Sequence, residues 1–366
     1  MNRFFDNIKL LDVGLSLVFI QHIVYFVYLY TKDYIFLILY FLFIFPLFFL
    51  VRFKTNKIKY YFVILLFFIL FMISSFFSRE FSVLVSWYNL LYAVVGMLGA
   101  YFYINSKKGI LYSKISFFMY VVFLSFFIFK YGADGEAYNN ILEGSSRNYL
   151  SAISIFLTIN IYIQLIFREK EILIYPAIIN LILCLMLFGR SGIIISLVVF
   201  LFVLYLRNIK FFLFSLFLIF VFFILYLSVF LTYLDERTNF AIGFESDRSI
   251  FLKEYMLNIF NGSDFLTGRK ISECCSYIAS FSGNPHNSFI MGHLRYGLIH
   301  TVFSIFLILF VLLKRNLIML IFLLIIYSRF FLDQLGLFAF FDFFVFIVLF
   351  CCILQDKKKS HNLSAI

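Results

Sequence analysis

The residues able to do chemistry stand where a largely apolar chain changes direction. His286 lies in Gly283-Asn-Pro-His-Asn-Ser-Phe289, directly ahead of an apolar helix that Asn287 or Ser288 would cap. Arg190 interrupts an apolar passage at Phe188-Gly-Arg-Ser-Gly192, flanked by glycines and followed by a new helix. Arginine at a hydrocarbon boundary costs up to about 3 kcal/mol unless it snorkels to water or meets an anion. Arg248 follows Glu245 and Asp247, and a Ser246 N-cap would put it in the first turn of a helix. The helix dipole disfavours a cation there, so either an external anion offsets it or Glu245 or Asp247 pairs with it. Arg147 precedes a further apolar run, after Asp134, Glu136 and Glu143, and Arg295 falls about two turns inside the helix after His286. Arg147, Arg190 and His286 thus all mark helix starts. With Arg248 they are expected to converge on one strongly negative group, and a lipid-linked diphosphate fits that description.

The elements that must position these residues are membrane helices. Apolar runs long enough to span occur at about 10–30, 34–51, 60–77, 83–104, 111–129, 149–167, 172–188, 191–206, 211–233, 289–313, 317–335 and 337–354. The expected fold is therefore all-α and integral to the membrane, a single polytopic domain over 1–366 with about twelve helices. One long polar loop, 234–288, separates the ninth run from the tenth. Within it, apolar positions 251, 252, 255, 256, 259 and 260 predict an amphipathic helix suited to lying on the membrane surface. Basic residues fix the orientation. Arg3 and Lys9, then Arg52 to Lys59, Lys107, Lys108 and Lys114 fall at one side, followed by Arg168 and Lys170, Arg207 and Lys210, Lys314 and Arg315, and Lys357 to Lys359. That alternation predicts both termini inside and the long loop outside. The first run is too long for a cleaved signal and is expected to remain as an anchor.

Composition excludes several classes. Of 366 residues, 64% are hydrophobic and 13% charged, well away from a soluble domain. The net charge of +11 resides largely in short loops and the tail, which argues for orientation and against nucleic-acid binding. The 58 Phe and 25 Tyr reflect AT-rich codons more than function. Five cysteines show no metal-ligand spacing, and adjacent pairs such as Cys274-Cys275 are awkward disulfide partners, so no metal is expected. No phosphate loop of the Gly-Lys-Ser kind and no His-Glu-x-x-His occurs, and no internal repeat points to a two-halved transporter.

Taken together these motifs resemble the O-antigen polymerase and O-antigen ligase superfamily of bacterial envelope enzymes. The likeness is carried by Gly189-Arg-Ser-Gly192 opening a span, Asp247-Arg248 ahead of an amphipathic stretch, and Leu266-Thr-Gly-Arg269. Pro285-His-Asn-Ser-Phe289 followed by Tyr296-Gly-Leu-Ile299 completes it, so motifs cover roughly 147–315 and the first five spans match only in layout. The resemblance implies a metal-independent, inverting glycosyltransferase of the membrane-embedded C type, without cofactor, in the bacterial inner membrane and facing the periplasm. A polymerase would join undecaprenyl-diphosphate-linked oligosaccharides as donor and acceptor, with membrane lipid and a chain-length regulator protein as further partners. Arg190 and Arg248 match positions thought to hold the diphosphate, and His286 matches the histidine of the loop-to-helix motif. Arg147, Arg295, Arg269, Glu245, Asp247 and Asn287 complete the expected substrate-binding set. Where family members often carry Trp past the loop arginine, this chain has Phe251 and Tyr255. An imidazolium at His286 would clamp the leaving diphosphate; a neutral imidazole would instead serve as base, ahead of Glu245 or Asp247. A ligase acting on the lipid A core and a lipid-linked oligosaccharide flippase are the competing expectations. A glycan polymerase of the rod-shape family, whose motifs are not seen, and a non-enzymatic assembly component, which would not require arginines at so many outer helix starts, rank behind them.

Overall fold

The structure, a computed structural model, describes residues 2–51, 58–132, 134–142, 146–237, 247–260 and 262–363. Glu245 and the expected Ser246 cap lie outside the described residues. All regular structure among the described residues is helical. In chain order the helices are α1 (Asn2–Thr31), α2 (Tyr34–Leu42), α3 (Ile44–Leu50), α4 (Ile58–Ser75), α5 (Val83–Asn105) and α6 (Gly109–Tyr131). Then follow α7 (Arg147–Phe167), α8 (Tyr175–Met186), α9 (Arg190–Arg207), α10 (Ile209–Arg237), α11 (Asp247–Met256) and the short α12 (Asp264–Thr267), α13 (Ile271–Cys274) and α14 (Ser276–Ser280). The chain closes with α15 (Ser288–Tyr296), α16 (Leu298–Leu313), α17 (Leu317–Leu332) and α18 (Asp342–Leu363). Six of these segments are long and apolar enough to cross a membrane, and shorter apolar helices accompany them, as in an α-helical membrane protein.

The chain forms two compact units. The first comprises 1–18, 41–106 and 245–366, and the second 19–40 and 107–244. In the first, α5 packs along α18. Gly96 permits that approach, because a Cβ there would lie 3.0 Å from the backbone nitrogen of Phe343. Small residues matter in such an interface because lipid tails are as apolar as the partner helix, so close packing supplies the attraction. In the second unit, α7 is buried along most of its length between α6, α8 and α9. It carries buried polar residues on two faces, Ser151, Ser154 and Thr158 on one and Asn160 and Gln164 on the other, and Ser154 Oγ donates to Asn180 Oδ1 at 2.7 Å.

Two apolar runs divide where the sequence predicts one helix each. The 34–51 run bends at Phe43 into α2 and α3. The 289–313 run breaks at Gly297, whose φ of +58° ends α15 after nine residues and starts α16 in a new direction. Side chains at the α4–α5 turn receive the last carbonyls of α15: Ser78 Oγ donates to Leu294 O at 2.9 Å and Ser74 Oγ to Tyr296 O at 2.5 Å.

The long loop is a folded element with its own core. Phe251, Tyr255 and Ile259 turn inward against Ile271, Cys275, Ile278, Ile290, Met291 and Leu294. Of the expected stripe, the i, i+4, i+8 face of Phe251, Tyr255 and Ile259 buries itself in protein, while Met256 and Phe260 stay exposed. Cys274 and Cys275 are joined to each other, against the expectation for an adjacent pair; the chain breaks between α13 and α14 at this point.

Candidate functional site

The sequence places Asn287 at the one position where it can serve α15, and its Oδ1 accepts from the backbone nitrogens of Phe289 (2.9 Å) and Ile290 (3.1 Å). Its Nδ2 donates to Phe331 O at 2.9 Å, so the buried amide is a cap and a strap. Ser288 continues the strap. Its Oγ donates to Asp333 O at 2.9 Å and accepts from the backbone nitrogens of Leu335 (2.9 Å) and Gly336 (3.2 Å). The start of α15 is thereby tied to the chain leaving α17, which carries Asp333 in with it.

Asp333 meets two arginines. Arg248 Nη2, in the first turn of α11, donates to Asp333 Oδ1 at 2.7 Å. Arg329 Nη2 lies 2.9 Å from Oδ2, close in distance but off the axis of a hydrogen bond. Arg329 is wholly buried, whereas Arg248 retains 27% of its side-chain exposure. The sequence offered Glu245 or Asp247 as the alternative partner of Arg248; among the described residues the partner is Asp333, 85 positions away. Nε and Nη1 of Arg248 donate to no described residue, so the guanidinium keeps donors for a ligand.

His286 stands beside this cluster. It has a positive φ of 46°, its backbone nitrogen donates to Asn284 Oδ1 at 2.9 Å, and its ring stacks on Phe251 at 6.0 Å and 18°. Neither ring nitrogen bonds a described residue. Burial, and then the charge of Arg248, hold its pKa below the ordinary 6.5, with Asp333 and Asp247 opposing. Half-burial against an aromatic ring and a neighbouring guanidinium both disfavour a second cation here, whereas the clamp weighed from the sequence needs the imidazolium. Asp247 is exposed and accepts from Tyr277 Oη at 2.7 Å, and that bond pushes the Tyr277 phenol up.

The remaining expected residues divide in two. Arg269 is spent on architecture: Nη1 donates to the carbonyls of Tyr255 (2.7 Å) and Leu257 (2.6 Å), and Nε to Asp264 Oδ2 at 3.1 Å. Its motif neighbour Gly268 (φ +85°) lies against His293 O, and Gly297 lies against Leu266 O, so a Cβ at either would strike backbone. The Leu266–Arg269 and Tyr296–Ile299 motifs therefore cross each other. Arg295 keeps a different company, its guanidinium 5.1 Å over the Phe81 ring. Arg147 and Arg190 belong to the second unit, each the first residue of its helix. Arg147 is buried, with Nη2 3.9 Å from Glu136 Oε1, and its backbone nitrogen donates to Asn139 Oδ1 at 3.0 Å. Asn148 links the two helix starts, its Oδ1 accepting from Ser191 Oγ at 3.4 Å beside Gly189.

No family model matches the chain, and no curated protein or solved structure matches it either.

Sequence reasoning missed Asp333, Arg329 and the aromatic floor supplied by Phe251. Asp333 did carry a signal: it sits four residues after Arg329 at the end of an apolar helix, an i, i+4 charge pair within an otherwise greasy run. Phe251 looked like part of a membrane-facing stripe, and only the fold of the loop turns it toward His286. Among the described residues no group of three His, Cys, Asp or Glu side chains is placed to hold a metal ion.

Proposed function

We propose that this chain is a membrane-embedded glycosyltransferase that polymerises lipid-diphosphate-linked oligosaccharide repeat units at the periplasmic face of a bacterial inner membrane. The observation that carries the reading is the pairing of Arg248 with His286. Arg248, in the first turn of α11, presents spare guanidinium donors, and His286, two residues ahead of α15, presents open ring nitrogens whose protonation is disfavoured. In this reading the acceptor hydroxyl attacks the anomeric carbon and passes its proton to His286. The bond from that carbon to the diphosphate oxygen breaks, and the leaving diphosphate takes the electron pair. Its charge is met by the Nε and Nη1 donors of Arg248. Asp333 aims the guanidinium, and Arg329 holds Asp333.

The test is the surface-polysaccharide banding of a deletion strain carrying wild-type, Arg248→Ala or His286→Ala copies. Loss of the ladder with a single repeat unit retained is the expected result for the deletion and for both variants. Complete loss of repeats in the deletion would replace polymerase with ligase or flippase. A normal ladder from both variants would remove this site from the reaction.

A further inference from the structure

Arg295 is the cation the α15 site leaves unexplained. It lies seven residues after Ser288, about 10 Å along the helix from the Asp333 cluster. Its Nε is buried without a partner, and its guanidinium donates to no described residue. The nearby carbonyls are committed elsewhere: Leu294 O to Ser78, Tyr296 O to Ser74, and His293 O to the backbone nitrogen of Gly297. Glu80, from the same turn as Phe81, accepts from the backbone nitrogen of Ile271 at 2.8 Å. A guanidinium half-withdrawn from water with no acceptor is costly, and it favours an anion brought from outside.

The surroundings say what kind of anion. Arg295 rests on Phe81 at 5.1 Å and interacts electrostatically with Tyr92, whose hydroxyl is 3.3 Å from that of Tyr88. Trp87, the chain's one tryptophan, is fixed by donating to Ser75 Oγ at 2.9 Å and is edge-on to Phe76. Polar Ser78, Arg79 and Glu80 alternate here with Phe76, Phe77 and Leu84, which are exposed by 62%, 62% and 80%. A tryptophan and tyrosines beside bare apolar side chains mark the level where hydrocarbon meets water. The same α4 and α5 helices, with α16 and α18, line a half-open apolar cavity of about 190 Å3 walled by Phe67, Phe71, Met97, Phe303, Phe338 and Phe346. Phe71 and Phe338 also pack on Tyr296, next to Arg295, at 5.2 and 5.4 Å. A half-buried donor fork whose helix neighbour Tyr296 packs on two walls of an apolar cavity suits an amphiphile with a phosphate head and a hydrocarbon tail.

We infer that Arg295, with Phe81 and the Tyr88–Tyr92 pair, forms a site for the phosphate of a membrane lipid, separate from the Arg248–His286 site. The inference stands whether or not the chain transfers sugars. The full-length protein in neutral detergent is titrated with dioleoyl phosphatidic acid, with dioleoylglycerol and with inorganic phosphate, and binding is read by native mass spectrometry and thermal protection. Phosphatidic acid binds the wild type. Arg295→Gln weakens that binding about ten- to a hundredfold, the loss of charge-assisted hydrogen bonds. Arg295→Lys keeps the charge without the fork and falls between, which separates recognition from misfolding should the Gln variant accumulate poorly. Arg207→Gln, at an exposed arginine of the second unit that faces Glu171, binds as the wild type. Equal binding by the wild type and Arg295→Gln overturns the inference, as does equal binding of dioleoylglycerol. Loss of binding in Arg248→Gln would assign the lipid to the other site. Inorganic phosphate protecting as well as the lipid does would overturn the lipid part of it.

Discussion

At the scale of single residues, the disposition of His286 decides what it can do. Burial and the neighbouring Arg248 hold its pKa below 6.5, so the neutral form prevails at pH 7. A group whose pKa is lowered on folding protonates only when pH falls below its ordinary range, and a base is lost when it protonates. Activity is therefore expected to stay flat as pH drops to 6.5 and to decline only below it. The residual activity of Arg248→Gln should decline at higher pH, because one of the lowering influences has gone. Activity that instead falls as pH rises through the ordinary histidine range would return His286 to the role of a charged clamp. Asp333 makes a second residue-scale prediction. It is the counter-charge of the wholly buried Arg329 as well as of Arg248. Asp333→Asn removes the carboxylate charge that faces a wholly buried guanidinium and should cost about 3 kcal/mol, read as thermal unfolding in detergent. A variant as stable as the wild type would mean that Arg329 finds its compensation elsewhere.

At the scale of elements, the folded loop rests on two kinds of support that differ in strength. The crossing of Leu266–Arg269 with the α15–α16 break is backbone against backbone, with Gly297 at φ +58° and no room for a Cβ. Gly297→Ala should cost at least about 1–3 kcal/mol in backbone strain and free the loop to proteolysis between 247 and 280. Arg79 supports the loop from the α4–α5 turn through Asp264 (2.7 Å) and Glu273 (3.1 Å), but it is 41% exposed. Arg79→Ala should change stability by about 1 kcal/mol or less, and a proteolysis series that ranked the two variants the other way would refute this ordering. The contrast also explains what could be read from the chain. Helix starts at Arg147 and Arg190 and the Asn287 cap were legible, because caps and apolar runs are local signals. The inward turn of Phe251 and Tyr255 was not, because a helix stripe has the same period whether lipid or protein covers it. The reach of Arg248 to Asp333 was not either, since no local pattern reports a contact across 85 residues.

For the molecule as a whole, the turns carry the orientation. Lys107 and Lys108 join α5 to α6, Arg168 and Lys170 join α7 to α8, Arg207 and Lys210 flank the α9–α10 turn, and Lys314 and Arg315 join α16 to α17. Every second turn is thus basic, the pattern expected if each connection returns to the same side of a bilayer. The division of the tenth apolar run into α15 and α16 preserves this alternation. α15 is only nine residues long, with its end held at the α4–α5 turn, and α16 is a separate apolar helix of 16 residues. At 1.5 Å per residue α16 spans about 24 Å, short of a typical hydrocarbon core but compatible with local thinning or with flanking residues that reach the interface. Reporter fusions after Lys108, Lys170, Lys210 and Arg315 should therefore read cytoplasmic, and fusions within 250–280 should read periplasmic. The long-loop fusion carries the most weight. The acceptor hydroxyl and the lipid diphosphate must meet on the side where His286 and Arg248 stand, and the proposed reaction consumes repeat units already displayed on the periplasmic face. A cytoplasmic signal from the loop would put that site opposite its substrate and end the polymerase reading, while leaving the lipid-phosphate site at Arg295 open to its own test.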